Sequence, residues 1–373
     1  MIEFPSHWTN CQLGERIRFE YGKSPNEVRC SDGKYPVYGS SGKTALAINY
    51  TTESPAIIVG RKGTIDKPIF LQERCWAIDT TFFADKFPSD DPKYLFFLLD
   101  SINLRSLNES TGVPSLSRDA LHSIPVSLPP LPEQKKIAEI LSGIDRVIYS
   151  TSTARDRLFL LKKSLCLKLL ATESKQCRQS KFSDVCIKIQ DGTHFSPQSK
   201  DGNCLYITSK NIRPGRLDLS SINWISTEEH NTIYKRCQVQ KGDILLTKDG
   251  ANTGNACLNT LEEEFSLLSS VAFLRPNPSY CDANYMLQWI MSVAFQNEIQ
   301  QEMSGNAISR LTLTKINNLS ISLPPLEKQK EIAETLLSID NQCKSYESKI
   351  DSFQMLKQAI SADLLSGRKR VSI

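Results

Sequence analysis

Three short loops in the sequence carry side chains that could hydrogen-bond to the bases of DNA. Residues 60–63 (GRKG), 210–213 (KNIR) and 248–252 (KDGAN) combine cationic and amide side chains, in two cases with glycine. Arginine and lysine suit the acceptors of guanine in the major groove, and asparagine suits adenine. Glycine lets the backbone approach a phosphate while a neighbouring side chain reaches a base. The candidate contacts are Arg61, Lys62, Lys210, Asn211, Arg213, Lys248 and Asn252.

The alternative for each loop is a solvated turn without a ligand. Two of the loops, however, directly follow a short apolar run, within residues 57–64 and 244–253. These two segments are candidates for structural equivalents, and the second adds Thr253 to the candidate contacts. The recurrence of a similar strand and loop in both halves of the chain favours DNA binding.

The sequence contains none of the motifs that would supply catalysis. There is no GxGxxG after a strand, no GxxxxGK[ST], no HExxH and no GxSxG. His194, in the turn at residues 191–194 (DGTH), is predicted to be a structural or nucleic-acid contact rather than a general base. The eleven cysteines include no CxxC pair, which favours reduced thiols over a metal site. We therefore predict no catalytic residue and no bound metal.

An internal repeat organises the chain. Residues 128–145 read LPPLPEQKKIAEILSGID and residues 323–340 read LPPLEKQKEIAETLLSID, which agree at 12 of 18 positions with a constant offset of 195. Within the copies, Pro132 and Glu133 become Glu327 and Lys328. The paired prolines end a preceding strand, and the residues after them lead into a helix. The chain is thus an imperfect tandem duplication of a globular segment followed by this motif.

Apolar residues recur every seven positions after each copy of the motif, as expected for the seam of a coiled coil about five heptads long. The predicted seam residues are Ile137, Ile144, Leu158 and Leu165 in the first half, and Ile332, Ile339, Phe353 and Ile360 in the second. Each helix would be about 40 residues long, or about 60 Å. Because one small domain cannot cover so long a seam, we expect the two helices to pair; the alternative is that each packs on its own globular segment.

The remaining segments predict mixed α/β domains. Short β-rich runs at 56–59, 205–208 and 243–247 lie among turns, while helical patterns are confined to 92–104 and 283–303. We predict an α+β protein with domains at 1–127 and 178–322, separated by long helices within 128–177 and 323–373. The two helices are expected to form an antiparallel coiled coil with pseudo-two-fold symmetry.

The two LPPL motifs, the IAEILSGID-type helix and their middle and C-terminal placement resemble the specificity subunits of type I restriction–modification enzymes. The resemblance spans the chain and implies two target-recognition domains that read a bipartite double-stranded DNA site. It also identifies residues 35–42 (YPVYGSSG) and 191–194 (DGTH) as segments that look like family features, together with glycine-containing loops at 111–117 and 304–310. From these segments Tyr38, Ser40, Ser41, Thr193 and His194 become candidate DNA contacts.

The resemblance also implies partners. Two methyltransferase subunits and restriction subunits would dock on the chain and carry S-adenosylmethionine, ATP and Mg²⁺, so that the chain itself has no cofactor and is not an enzyme. The net charge of +4 is small. If the chain binds DNA, its basic residues must therefore be concentrated at the binding site and not spread over the whole surface. The basic run at 145–181 is either a solvated helix face or a rail along DNA or an acidic partner.

No apolar run is long enough to span a membrane and no signal pattern begins the chain, so a cytoplasmic location is expected. The alternative function is a coiled-coil scaffold or adaptor that gathers proteins without binding DNA.

Overall fold

The computed structural model describes residues 4–170, 177–199, 201–304 and 310–372. It divides into two compact units. Unit 1 consists of Met1–Ser152 with Ser348–Ile373, and unit 2 of Thr153–Glu347. Each unit therefore contains one globular segment and parts of both long helices.

Unit 1 contains two small sheets, one strand pair and two short helices. Its strands are β1 (Thr9–Gln12), β2 (Glu20–Tyr21), β3 (Tyr35–Gly39), β4 (Gly42–Ala47), β5 (Ala56–Gly60), β6 (Ile69–Leu71), β7 (Trp76–Ala77), β8 (Thr81–Ala84) and β9 (Pro125–Leu128). Its short helices are α1 (Pro92–Ser101) and α2 (Arg118–His122). The strand orders are β2-β8-β5-β6, β4-β3-β7 and β1-β9. The long helix α3 (Leu131–Leu169) begins in this unit.

Unit 2 repeats this plan with extra elements. Its strands are β10 (Arg178–Lys181), β11 (Cys186–Asp191), β12 (Cys204–Ile207), β13 (Ile212–Arg213), β14 (Arg216–Leu217), β15 (Asn223–Ile225), β16 (Ile244–Thr247), β17 (Ala256–Leu258), β18 (Ser266–Leu267), β19 (Val271–Pro276) and β20 (Ser320–Leu323). Its helices are α4 (Phe182–Val185), α5 (Thr227–Tyr234), α6 (Ala283–Ile290), α7 (Val293–Ser304), α8 (Leu313–Asn318) and the start of α9 (Leu326–Leu365).

The sheets of the two units have the same topology. The four-stranded sheet of unit 2 has the order β11-β19-β16-β17, and its three-stranded sheet has the order β15-β12-β18. In both units the central strand of the smaller sheet makes one antiparallel and one parallel pairing, β3 with β4 and β7, and β12 with β15 and β18. The duplication predicted from the helical motif thus extends through the globular segments, and the predicted mixed α/β class is confirmed.

A buried glutamine follows each LPPL motif and connects it to a short helix. Gln134 and Gln329, 195 positions apart, are each 1% exposed. The Gln134 side chain donates to the Pro129 carbonyl at 2.9 Å and accepts from the Asp91 backbone N–H at 2.9 Å. Gln329 makes the equivalent bonds with Pro324 and Asp282, both at 2.9 Å. Asp91 and Asp282 in turn cap α1 and α6, so that the motif fixes each long helix to a short one.

The long helices pair in an antiparallel manner in each unit. In unit 1, Ile137 and Leu141 near the start of α3 share a core with Leu364 and Leu365 at the end of α9. In unit 2, the α3 end and the α9 start share another core, which includes Leu165 and Leu169 of α3 with Ile332 and Leu336 of α9. The predicted pairing is therefore confirmed.

The seam residues are shielded from solvent as the heptad pattern predicts. Ile137, Ile332 and Ile339 are buried, and the half-buried seam residues are Ile144, Leu158, Leu165, Phe353 and Ile360. The alternative, separate packing of each helix on its own segment, is wrong, because each globular core contains residues from both helices.

Two ion pairs between the helices repeat the 195-residue offset. Lys357 Nζ lies 2.7 Å from Asp145 Oδ1 in unit 1, and Lys162 Nζ lies 2.7 Å from Asp340 Oδ1 in unit 2. Both lysines are about a fifth exposed, at 23% and 20%. Since the two pairs occupy matched positions, they fix the same antiparallel register at both places.

The Glu133 to Lys328 difference between the motif copies also has a structural reason. Glu133 is 1% exposed and accepts hydrogen bonds from Arg370 Nε at 2.7 Å and Nη2 at 2.9 Å. Lys328 is instead exposed and pairs with Glu331 within its own helix. The acid of the first copy therefore binds the segment that follows α9.

Two predicted helices are shorter than expected. The helix predicted at 92–104 ends at Ser101, where Ile102 adopts an extended conformation. The helix predicted at 283–303 divides into α6 and α7, because Ser292 accepts a hydrogen bond from the Phe295 backbone N–H at 3.3 Å and caps a new helix.

Candidate nucleic-acid interface

The predicted strand-and-loop segments of the two units are structural equivalents. The backbone carbonyl of Arg61 accepts from Leu116 N–H at 2.9 Å, and that of Lys248 accepts from Leu311 N–H at 3.0 Å. Leu116 and Leu311 are themselves 195 positions apart. Gly63 and Gly250 follow with φ values of +85° and +94°, a conformation that favours glycine. Arg61 thus corresponds to Lys248, and each loop is held by a backbone bond from the segment before a short capped helix.

Unit 1 brings three of its predicted segments together. A side chain at Gly63 would stand 3.2 Å from Ser40 Oγ, so that the turn between β3 and β4 lies against the Arg61–Lys62 loop. The loop at 111–117 lies beside them, since Gly63 N–H donates to Pro114 O at 2.9 Å. Lys62 and Ser41 are exposed, whereas Ser40 and Arg61 are half-exposed. Tyr38 is also half-buried, and burial raises the pKa of its phenol.

An aromatic and cationic cluster, which the sequence reasoning missed, adjoins this loop. The Tyr21 ring is 47% exposed, and its centroid lies 5.3 Å from Arg61 Cζ and 5.1 Å from Arg118 Cζ. Among the described residues, neither guanidinium forms an ion pair, and Arg118 Nε is buried without a hydrogen-bond partner. The sequence carries no clear signal for this cluster, because only the structure aligns Tyr21-Gly22 with Asp191-Gly192 of the DGTH turn.

That alignment follows from the strand registers. Tyr21 pairs with Phe82, which pairs with Val59 two residues before Arg61. Asp191 pairs with Ala272, which pairs with Leu246 two residues before Lys248. The positions of Tyr21 and Asp191 are therefore the same place in the two sheets.

In unit 2 this place is occupied by a buried carboxylate with two cationic neighbours and a histidine. Asp191 is 4% exposed and lies 3.3 Å from Lys248 Nζ, 3.3 Å from Arg236 Nη2 and 3.4 Å from His194 Nε2. Lys248 is 3% exposed, but Arg236 and His194 are about half exposed. Lys248 is a predicted DNA contact whose ammonium is committed to a pair inside the domain, so this placement favours a role in holding the loop.

Asn211 is a second predicted contact that lies inside the fold. Its Oδ1 accepts from the Thr208 backbone N–H at 3.0 Å, and its Nδ2 donates to the carbonyls of Asp218 and Ser221, both at 3.0 Å. These bonds occupy the amide edge that would read adenine. The amide therefore shapes the loop, while its neighbour Lys210 is exposed.

The other predicted contacts of unit 2 are distributed around the same loops. Thr193 is buried and accepts from Phe195 N–H at 3.3 Å. Thr253 donates to Gly250 O at 2.7 Å, and both Thr253 and Asn252 are half-exposed. Arg213 Nε lies 3.4 Å from Asp218 Oδ2. Hydrogen bonds from Ser220, followed by the one from Arg213, lower the pKa of Asp218 to about 2.

The 210–213 segment lies beside the residues that follow the 248–252 loop, because Asn255 Nδ2 donates to Ile212 O at 3.4 Å. Of the loop at 304–310, residues 305–309 lie outside the described part of the chain. Part of the basic run at 145–181, residues 171–176, also lies outside it.

The second half of α3 presents both charge and apolar surface. Arg157, Lys163 and Lys168 are exposed. Phe159 and Leu160 are each 64% exposed, and Leu161 is 49% exposed. Large exposed apolar side chains beside basic residues on a helix are a feature of surfaces that bind another protein.

The cysteines are all unpaired; four are buried and seven are half-buried. Burial raises the pKa of both Cys237 and Cys257 to about 12, so that these two thiols stay protonated. Within the described ranges, no group of three or more His, Cys, Asp or Glu side chains is arranged to hold a metal ion. The helices of those ranges include none with the length and apolar character that crossing a membrane requires.

Comparison with known proteins places these features in a family. The model of the type I restriction modification DNA specificity domain matches residues 5–159 and 174–352. The MjaVIII specificity subunit of Methanocaldococcus jannaschii is 26% identical over 99% of this chain and 95% of its own length. The EcoBI specificity subunit of Escherichia coli is 24% identical over 79% of this chain and 69% of its own length.

Solved structures share the fold. The S subunit of the type I restriction–modification system from M. genitalium has a TM-score of 0.67 at 14% identity, with 96% of each chain covered. A chain from a study of complex assembly and conformational transition in a type I R-M system has a TM-score of 0.58 at 16% identity, with 97% of this chain and 98% of that one covered.

Proposed function

Because the chain belongs to the family of type I restriction–modification DNA specificity proteins, we propose that it selects the DNA target of a type I restriction–modification complex. Each unit would read one part of a bipartite double-stranded site. The observation that carries this proposal is the repeated module: the same sheet, glycine turn and cation-bearing loop, with Arg61 and Lys248 at matched positions. One such loop in each unit suits a target with two parts.

We further propose that the chain is not itself an enzyme. Two methyltransferase subunits and restriction subunits would supply the chemistry and carry S-adenosylmethionine, ATP and Mg²⁺. The sequence has neither a GxxxxGK[ST] nucleotide-binding loop nor the Asn/Asp-Pro-Pro-aromatic loop that an adenine methyltransferase needs, which supports this division of labour. The exposed Phe159, Leu160 and Leu161 of α3 support a protein partner on that helix. Such a complex would act on DNA in the cytoplasm.

A scaffold or adaptor without DNA binding remains the alternative function. The apolar surface of α3 would suit it equally well, but the loops of unit 1 would not. Arg61 and Arg118 place two cations at one half-exposed aromatic ring, and Lys62 next to Arg61 is exposed. Such an arrangement favours binding of a polyanion over a scaffold role.

The first prediction separates these functions. The purified full-length chain is expected to bind duplex DNA with an affinity that falls steeply with salt, because phosphate contacts release counterions. Fluorescence anisotropy with labelled duplex DNA across a salt series measures the binding. Incubation of the same preparation with DNA and S-adenosylmethionine is expected to give no methylated adenine.

A second experiment tests the same function in the host cell. Methylome sequencing of cells that carry the complete system is expected to show one two-part methylated motif, which disappears when this chain is deleted. A chain that binds no DNA at low salt would favour the adaptor. Methyl transfer by the purified chain alone would contradict the non-catalytic assignment.

A further inference from the structure

The two units carry different sets of charged residues at equivalent positions. Five positions correspond: Tyr21, Arg61, Lys62, Ser115 and Arg118 in unit 1 match Asp191, Lys248, Asp249, Arg310 and Leu313 in unit 2. The bridges Lys62–Ser115 and Asp249–Arg310 support the match. Unit 1 has three cations and no acid at these positions, whereas unit 2 has two cations and two acids.

Unit 2 neutralises its cations internally. Lys248 is paired with the buried Asp191 carboxylate at 3.3 Å, and Arg310 Nε lies 3.3 Å from Asp249 Oδ2. Arg236 adds a further cation at the same carboxylate. The carboxylate of Asp191 thus occupies the position to which the cations of this module converge.

Unit 1 has the cations without the carboxylate. At the place of Asp191 stands the Tyr21 ring, 5.3 Å from Arg61 Cζ and 5.1 Å from Arg118 Cζ. Arg61 donates one bond, to the Asp79 carbonyl at 3.2 Å, and Arg118 has no ion pair among the described residues. Two guanidinium groups that contact the same ring repel each other, and a bound anion would offset that repulsion.

We propose that unit 1 contains a phosphodiester-binding site formed by Arg61 and Arg118 around Tyr21, next to the exposed Lys62; unit 2 replaces this site with the internal Asp191 carboxylate. The ligand is a backbone phosphate of the DNA. Guanidinium groups bind phosphate through paired N–H donors, and the ring holds both groups in place. The proposal rests on the DNA-reading function proposed above. It assigns Tyr21 and Arg118 to the interface and makes the two units unequal in their share of the electrostatic binding.

The test uses the full-length chain and a random-sequence duplex, because a phosphate contact is independent of base sequence. Anisotropy titrations between about 50 and 200 mM salt give the slope of log K against log salt. Arg118→Gln and Arg61→Gln are each expected to reduce the magnitude of this slope by about 1. Arg118→Lys keeps the charge and is expected to keep the slope.

Tyr21→Asp transfers the unit 2 arrangement to unit 1. The new carboxylate would pair with both guanidinium groups, and the slope is expected to fall at least as much as in Arg118→Gln. Arg236→Gln is the matched control, since Arg236 already faces a carboxylate and its loss is expected to leave the slope unchanged. Thermal unfolding of every variant confirms that each is folded at the assay temperature.

Each outcome bears on a different claim. Unchanged slopes in folded Arg118→Gln and Arg61→Gln, with normal wild-type binding, would overturn the phosphate site and leave the DNA-reading function intact. A wild-type chain without salt-dependent DNA binding would remove the proposed function together with this site.

Discussion

Lys248 shows how a side chain of the right type can be withheld from a ligand. The strand-and-loop pattern makes it a candidate base contact, yet its ammonium is 3% exposed and pairs with Asp191. A buried charge is tolerated only with a partner, and here the partner lies 57 positions earlier in the sequence. The pair holds the loop to β11, and the exposed Arg236 and His194 are left nearer the solvent.

The pair gives a prediction about stability. Asp191→Asn leaves the Lys248 ammonium buried without its carboxylate and is expected to destabilise the chain by about 3–5 kcal/mol. The double variant Asp191→Leu/Lys248→Met removes both charges and is expected to cost less than the single one. Urea unfolding followed by fluorescence measures the free energy of unfolding.

An exposed pair provides the control. Lys241 and Glu262 are 57% and 80% exposed, so Glu262→Gln is expected to change stability by less than about 1 kcal/mol. Equal losses for Asp191→Asn and Glu262→Gln would show that the buried pair has no special weight.

At the scale of elements, the long helices were predictable, and the cluster of Tyr21 with Arg118 was not. The heptad repeat identifies α3 and α9 because the seam residues of each helix come from one continuous segment of the sequence. The strands β5, β12 and β16 were likewise predicted from local apolar runs. Tyr21 and Arg118 could not be assigned in this way, because they are 97 positions apart and meet only through the pairing of β2 with β8.

Asn211 is a second case in which the sequence is insufficient. The KNIR segment suggests a reader of adenine, but the asparagine amide satisfies backbone groups on both sides of its own loop. Residue type indicates hydrogen-bonding capacity, and only the surrounding fold decides where that capacity is used.

The paired helices give a prediction about register. Lys162→Asp places like charges against Asp340, which also accepts from Gln288 Nε2 at 3.0 Å, and is expected to destabilise the chain by about 1–3 kcal/mol. Lys162→Asp/Asp340→Lys restores opposite charges and is expected to recover most of the loss. Thermal unfolding monitored by circular dichroism gives the comparison.

The Lys328–Glu331 pair, exposed within one turn of α9, serves as the control. Its charge swap is expected to change stability by less than about 0.5 kcal/mol. A Lys162→Asp variant as stable as the parent would show that the pairs between helices do not fix the register.

At the scale of the whole molecule, the continuous α3 and α9 are expected to govern the spacing of the two DNA segments. Matched seven-residue insertions after Thr153 and after Ser348 lie midway between the aspartate and the lysine of each helix. One heptad preserves the seam and adds about 10 Å. The unread spacer is therefore expected to grow by up to about three base pairs, at 3.4 Å per base pair.

Methylome sequencing of a host with the altered chain measures this spacer directly, and the two flanking sequences are expected to stay the same. An insertion of seven residues in α3 alone is the mismatched control, which should disturb the pairing and abolish methylation. A changed flanking base, or an unchanged spacer in a methylating strain, would contradict the role of helix length.

The contribution of α9 to unit 1 has a consequence for biosynthesis. Leu364 and Leu365 are packed in the same core as Leu13 and Ile17, and Arg370 completes the bonds of Glu133. The ribosome makes these leucines after all the strands β1–β9 of unit 1, so that domain must wait for the end of α9 before its interior is closed. A nascent chain stalled before α9 is therefore expected to leave that domain sensitive to proteases, although β1–β9 have already emerged.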